Sequence, residues 1–215
     1  LALPQPFETA YATYRVVPVD LPRLQDGRVL MNNSSAASLI DTSEPPRHAR
    51  YIMRLRELLL EEMALRDADI LVLGAGGFTL SHREPLNRYL YVDIDPAVRA
   101  FAEEHFLREP INGRFEAADA RRYIMETDAR FDVVVVDAYS ALTSVPSHLL
   151  TLEFWRDTQR TLKPGGLMAA NLILDSRLAT PFARNLLATI QAAYGACAVE
   201  VMMRDQPAGN VLVLC

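Results

Sequence analysis

The sequence predicts an α/β fold: a doubly wound, mainly parallel seven-stranded sheet with one antiparallel strand, preceded by a small N-terminal β-hairpin element. Two observations carry this prediction. From Asp69 onward, short continuous apolar runs alternate with segments of helical period, the pattern of parallel strands covered on both faces. At the C-terminal end the alternation breaks, because only "RDQPAGN" separates "CAVEVMM" from "VLVLC". So short a spacer cannot hold a right-handed crossover, so the last strand returns antiparallel.

The elements follow in order. "TYRVVPV" and "GRVLMNNSSAASLI" read as strands around the turn-forming "DLPRLQDG". "DTSEPPRHAR" leads into the helix "ARYIMRLRELLLEEMAL", whose Ile52, Leu55, Leu58, Leu59 and Met63 recur at helical spacing. The chain therefore divides into a β-rich element, residues 1–48, and an alternating unit, residues 49–215. In the latter, "DILVLGAG" is a buried strand, "FTLSHREPLN" holds one short helical turn, and "RYLYVDID" is the second strand. "PAVRAFAEEHFL" is a helix with Asp95 as N-cap and Pro96 at its first position. "RFEAADA", "FDVVVVDA" and "LMAANLIL" are further strands, separated by the helices "RRYIMET" and "TLEFWRDTQRTLK", the second ended by "PGG". The helix "ATPFARNLLATIQAAYG" precedes the final two strands.

Composition narrows the function classes. A chain of 215 residues suits one core of moderate size. A net charge of −5 argues against a general nucleic-acid binder and is compatible with a small cationic ligand. No apolar run approaches the roughly 18–20 residues of a membrane helix, so no membrane partner is expected. "LALPQPF" lacks the charged n-region and long apolar core of a signal peptide, and a reduced cytoplasm is the default location. No C-x-x-C or Cys/His cluster signals a metal site. Pairing Met203 with Asn210 places Cys215 opposite Ala198 and diagonal to Cys197, so two buried thiols are expected rather than a disulfide. His82 and His105 read as surface positions, and Trp155 as helix packing.

The candidate site collects at the carboxyl ends of the strands, where open α/β sheets bind ligands. Gly74, Ala75 and Gly76 follow the first strand and let the backbone turn tightly against a ligand. The third glycine of a dinucleotide fingerprint would fall at Thr79, so that fingerprint is incomplete. Asp93 ends the second strand, 17 residues after Gly76, where a carboxylate accepts ribose hydroxyls; Ile94 lies beside it. Asp119, with Ala120, ends the third strand and can accept an adenine amine or cap the helix from Arg121. Asp137 ends the run of four valines. A mainly parallel sheet closed by one reversed strand is the plan of class I S-adenosylmethionine-dependent transferases, the methyltransferase-like fold.

These residues bring a family into view. "YRVVPV…GRVLMNNSSAASLI", "ILVLGAGGFTLS", "YVDIDPAVRAFA", "AADARRYI" and "FDVVVVDAYS…VPSHLLTLEFW" resemble, in order and spacing, the spermidine/spermine synthases, the polyamine aminopropyltransferases, and among them the bacterial spermidine synthase-like branch. The resemblance implies a Rossmann-like nucleoside-binding catalytic domain over 49–215. It implies that Asp93 holds the ribose, Asp119 the adenine amine, and Asp137 the proton of the attacking amine. It implies decarboxylated S-adenosylmethionine as co-substrate, a small-molecule amine as acceptor, no metal, and a homo-oligomer, a dimer. Tyr139, Ser140, His148, His48 and Tyr51 are candidates to line the acceptor side. The chain departs from the family pattern there. The second carboxylate that usually follows the catalytic aspartate is replaced by Ser140, Ala141 and Leu142, and Ala36 stands in place of a glutamine. Two further readings stay open: a methyltransferase using S-adenosylmethionine itself, and a non-catalytic nucleoside-binding relative acting as an interaction module.

Overall fold

A computed structural model describes residues 6–137 and 147–215. Two sheets are present. The first has four antiparallel strands in the order β1 (Phe7–Glu8), β2 (Thr13–Val19), β3 (Gly27–Asn32) and β4 (Ser35–Ile40). The segment expected as one strand, "GRVLMNNSSAASLI", is thus a hairpin. Asn33 sits at φ 54° in the tight turn that splits it, a conformation asparagine tolerates.

The second sheet has seven strands: β5 (Asp69–Leu73), β6 (Arg88–Asp93), β7 (Arg114–Ala117), β8 (Phe131–Val136), β9 (Leu162–Asp175), β10 (Ala198–Val201) and β11 (Ala208–Leu214). Their spatial order is β10-β11-β9-β8-β5-β6-β7. The pairs from β7 through β9 are parallel, and β11 runs antiparallel to both neighbours, as the short spacer predicts.

Helices cover both faces. Helix α1 (Arg50–Arg56) continues through a π-helical stretch, Glu57–Glu62, and α2 (Val98–Phe101) through another, Ala102–Leu107. Their Leu55, Leu59 and Phe106 pack with Ile70, Val72, Val133 and Val135 on one face of the large sheet; Tyr14, Leu30 and Ile40 of the small sheet complete this cluster. The alternate residues Leu71, Leu73, Val134 and Val136 meet α3 (Ala120–Glu126), α4 (Leu152–Arg160) and α5 (Pro181–Tyr194) on the opposite face. Trp155 is fully buried there, edge-on to Phe154. Strands buried on both faces require apolar residues at every position, which is why they read as continuous runs.

Three expectations need correction. Cys197 and Cys215 form a disulfide, with Cα atoms 4.4 Å apart. The observed register pairs Ala198 with Leu214 and Val201 with Val211, one residue away from the expected pairing, which brings the two cysteines directly opposite. "FTLSHREPLN" forms turns without a helix. His82 is only 4% exposed: its Nε2 meets Glu109 at 2.8 Å and its Nδ1 meets His48 Nε2 at 3.1 Å, so polar partners compensate its burial. Asp95 is also buried; its side chain accepts from Ala97 N–H ahead of α2, and its Oδ2 accepts from Thr9 Oγ1 at 2.6 Å, tying the N-terminal segment to the large sheet.

Candidate functional site

Strand order reverses between β5 and β8. The connections that leave their carboxyl ends run to opposite sides of the switch point, where such sheets bind ligands. The turn after β5 forms one wall. Gly74 and Gly76 take φ values of 93° and 50°, open to glycine at little cost. Gly77 is required for a different reason: a Cβ there would lie 2.3 Å from Cε1 of buried Phe106. Its N–H donates to Ser38 Oγ at 2.8 Å, so β4 of the small sheet anchors the turn. Phe78 follows at φ 57°, buried and edge-on to Tyr91. Such a conformation persists only where surrounding packing holds it.

Asp93 ends β6 next to this turn. Its Oδ2 accepts from Ala75 N–H at 2.8 Å and its Oδ1 from Asp95 N–H at 3.0 Å. Burial pushes its carboxyl above the usual range, with the Asp95 charge adding and these N–H donors opposing. Ile94, beside it, leaves 47% of its surface exposed. Asp119 is the N-cap of α3, its Oδ1 accepting from Arg122 N–H at 2.9 Å, and Ala120 is the first helical residue. Asp119 Oδ2 also faces His148 Nε2 at 3.4 Å. His148 thus stands beside Asp119, in a 3₁₀ turn over Ser147–Leu149, while Thr151 caps α4.

Asp137 follows β8 directly, its N–H donating to Leu73 O at 2.8 Å. Its carboxylate is held from two sides. The Tyr51 hydroxyl of α1 donates to Oδ2 at 2.8 Å, and Asn171 Nδ2 of β9 donates to Oδ1 at 2.7 Å. Burial pushes the carboxyl up to about 6, and the Asn171 and Tyr51 hydrogen bonds limit the rise. A carboxyl titrating there exchanges a proton near neutral pH, the property of a general base. Tyr51 and Asp137 line one cleft with Ser38, Gly74, Ala75 and Gly76, so the turn and the carboxylate share a cavity.

Of the other acceptor-side candidates, His48 is buried against His82, while Tyr139 and Ser140 lie outside the described residues. Sequence reasoning missed Asn171, Ser38 and Tyr91, which line or support the cleft. A single polar residue in an apolar strand signals little until its neighbouring strands are known. Among the described residues, no cluster of three or more His, Cys, Asp or Glu side chains is placed to hold a metal ion. No helix among them is long and apolar enough to cross a membrane.

A family model described as a methyltransferase domain matches residues 71–166. The chain is similar to the polyamine aminopropyltransferase of Vibrio vulnificus, with 33% identity over 117 residues, 51% of this chain and 39% of that protein. The fold is that of a probable spermidine synthase from Corynebacterium glutamicum, with a TM-score of 0.80 at 22% identity over 100% of this chain and 80% of that one. It is shared with a spermidine synthase solved in complex with the transition-state analogue AdoDATO, with a TM-score of 0.71 at 15% identity over 99% of this chain and 72% of that one. The sequence match spans well under half the length of the Vibrio vulnificus protein, 39%. The fold is therefore the methyltransferase-like one.

Proposed function

We propose that the protein transfers an aminopropyl group from decarboxylated S-adenosylmethionine to an amine. The observation that carries this reading is the partly buried carboxylate of Asp137, held by Tyr51 and Asn171 beside the glycine turn. In this reading Gly74, Ala75 and Gly76 approach the nucleoside through backbone, Asp93 accepts the ribose hydroxyls, Ile94 packs on the adenine, and Asp119 with Ala120 faces the adenine edge. The similarity to polyamine aminopropyltransferases supports the reaction class.

The chemistry is consistent with the site. The amine nitrogen attacks the carbon next to the sulfonium; a C–N bond forms as the C–S bond breaks and the sulfur leaves as a neutral thioether. The amine must attack uncharged, and Asp137 takes its proton. Positioned proton transfer of this kind typically contributes ~10²–10⁴-fold, and alignment of nitrogen, carbon and sulfur supplies further acceleration.

Methyl transfer from S-adenosylmethionine is the second reading, favoured by the methyltransferase-domain match over residues 71–166. Titration calorimetry with S-adenosylmethionine, its decarboxylated form and methylthioadenosine separates the two. The aminopropyl reading expects the decarboxylated form to bind at least tenfold more tightly than S-adenosylmethionine. The reverse preference overturns it.

A further inference from the structure

Asp137, Asn171 and Asn210 form a polar row across three strands. Val136 of β8 pairs with Ala170 of β9, so Asp137 falls level with Asn171. Asn171 pairs with Leu212 of β11, and Asn210 pairs with Ile173, so the two asparagines are diagonal neighbours across the reversed strand pair. Asn210 Nδ2 donates to Asn171 Oδ1 at 2.9 Å, and Asn171 Nδ2 donates to Asp137 Oδ1 at 2.7 Å. The row shares its face of the sheet with buried Ala169 and Leu212, and Asn171 is itself only 3% exposed.

The direction of these bonds matters. An asparagine amide can turn by half a circle and exchange its oxygen for its nitrogen. With oxygen toward Asp137, Asn171 would face a carboxylate with a second acceptor, and the pair would be stable only with Asp137 protonated. Asn210 opposes that turn, because its NH₂ donates to the Asn171 oxygen and its own amide would have to turn as well. We propose that Asn210 is a positioning residue: by fixing the amide of Asn171, it keeps an N–H aimed at Asp137 and so holds that carboxylate ready to accept a proton. The final antiparallel strand thereby acts on a group two strands away. The inference takes from the reading above only the role of Asp137 as base. Among the described residues, the other polar groups that face this carboxylate are the Tyr51 hydroxyl, which donates to Oδ2, and the Tyr91 hydroxyl, which sits within reach of its charge and donates to Ser81 Oγ.

The test follows the Asp137 carboxyl directly. The full chain is labelled with ¹³C at aspartate side chains, the Asp137 signal is assigned as the one absent from Asp137→Asn, and its titration midpoint is read by NMR. Asn171→Leu is expected to raise the midpoint by about one pH unit or more, the loss of one hydrogen bond to a charged group. Asn210→Leu is expected to raise it by a smaller but resolved amount, and to add nothing in an Asn171→Leu background, since its effect passes through that amide. Asn210→Gln, which retains an NH₂, is expected to move it less than Asn210→Leu. An unmoved midpoint in Asn210→Leu, or an equal shift in both backgrounds, overturns the inference. Because the measurement needs no turnover, absent transfer activity with these shifts present overturns the transfer reading and leaves the relay standing.

Discussion

The Tyr51 hydroxyl donates to Asp137 Oδ2 at 2.8 Å, joining two residues 86 positions apart in the chain. The bond fastens helix α1 to the carboxyl end of β8. Its energetic consequence is specific: it stabilises the charged form of a carboxyl that burial would otherwise drive toward neutrality. Tyr51→Phe removes the donor while keeping the ring. The acid limb of kcat/KM should move to higher pH, because the carboxyl then needs a higher pH to ionise. A pH–rate profile checks this, with activity at pH 8 falling by less than activity at pH 6.

Asp137 also sets a pH dependence of stability. Its carboxyl is raised from 3.8 to about 6 in the folded protein. The folded state therefore binds this proton more tightly than the unfolded state. The resulting stabilisation is complete below about pH 4 and is lost as pH rises through about 6. A rise of this size corresponds to about 3 kcal/mol at neutral pH. Asp137→Asn, which keeps an oxygen for Asn171 and cannot ionise, should melt higher than the parent at pH 7.5. The advantage should shrink steadily as pH falls to 5. Thermal melts of both proteins across this range measure the difference.

The glycine turn offers a packing test. Gly77→Ala places a methyl 2.3 Å from Phe106 Cε1 and 2.9 Å from Ser38 Cβ. Neither neighbour sits at the free end of a flexible side chain. Overpacking of this kind typically costs about 1–3 kcal/mol. The melting temperature should fall, and nucleoside affinity should weaken as the turn shifts from Ala75 and Asp93. The same change at Gly165, where a Cβ would meet nothing within 4 Å but φ is 78°, should cost stability through backbone strain and leave nucleoside affinity unchanged.

Asp93→Ala removes an acceptor from the Ala75 and Asp95 N–H groups and, in the proposed role, from the ribose. Nucleoside affinity should fall at least tenfold, about 1.4 kcal/mol. Calorimetry with methylthioadenosine reads this without any need for turnover.

The acceptor side predicts a preference among amines. Asp137 is the only acidic residue lining the cleft among the described residues, and positions 138–146 contain neither aspartate nor glutamate. A buried ammonium needs a charged or strongly polar partner. A straight-chain monoamine should therefore be aminopropylated with a kcat/KM at least equal to that of the diamine of the same length. A strong diamine preference would place a second anionic group elsewhere in the site.

The fold was legible where the physics is repetitive. Runs such as Val133–Val136 are apolar at every position because helices cover both faces, and a short spacer forces the last strand to reverse. Asp93, Asp119 and Asp137 were legible as acids at strand ends. Features that depend on which strands become neighbours were not. The Cys197–Cys215 disulfide turns on one residue of register. Asn171 and Asn210 look like isolated polar residues in apolar strands until β9 is placed between β8 and β11. His82 gave no sign of burial, since its compensating partners His48 and Glu109 lie 34 and 27 positions away in the sequence.

The most direct test of the account is product analysis by mass spectrometry after incubation with decarboxylated S-adenosylmethionine and a panel of mono- and diamines. The account predicts equimolar methylthioadenosine and aminopropylated amine from the parent protein, and at least a hundredfold less from Asp137→Asn with methylthioadenosine affinity retained. Formation of S-adenosylhomocysteine and a methylated product from S-adenosylmethionine, with no aminopropylated amine from the decarboxylated form, would contradict it.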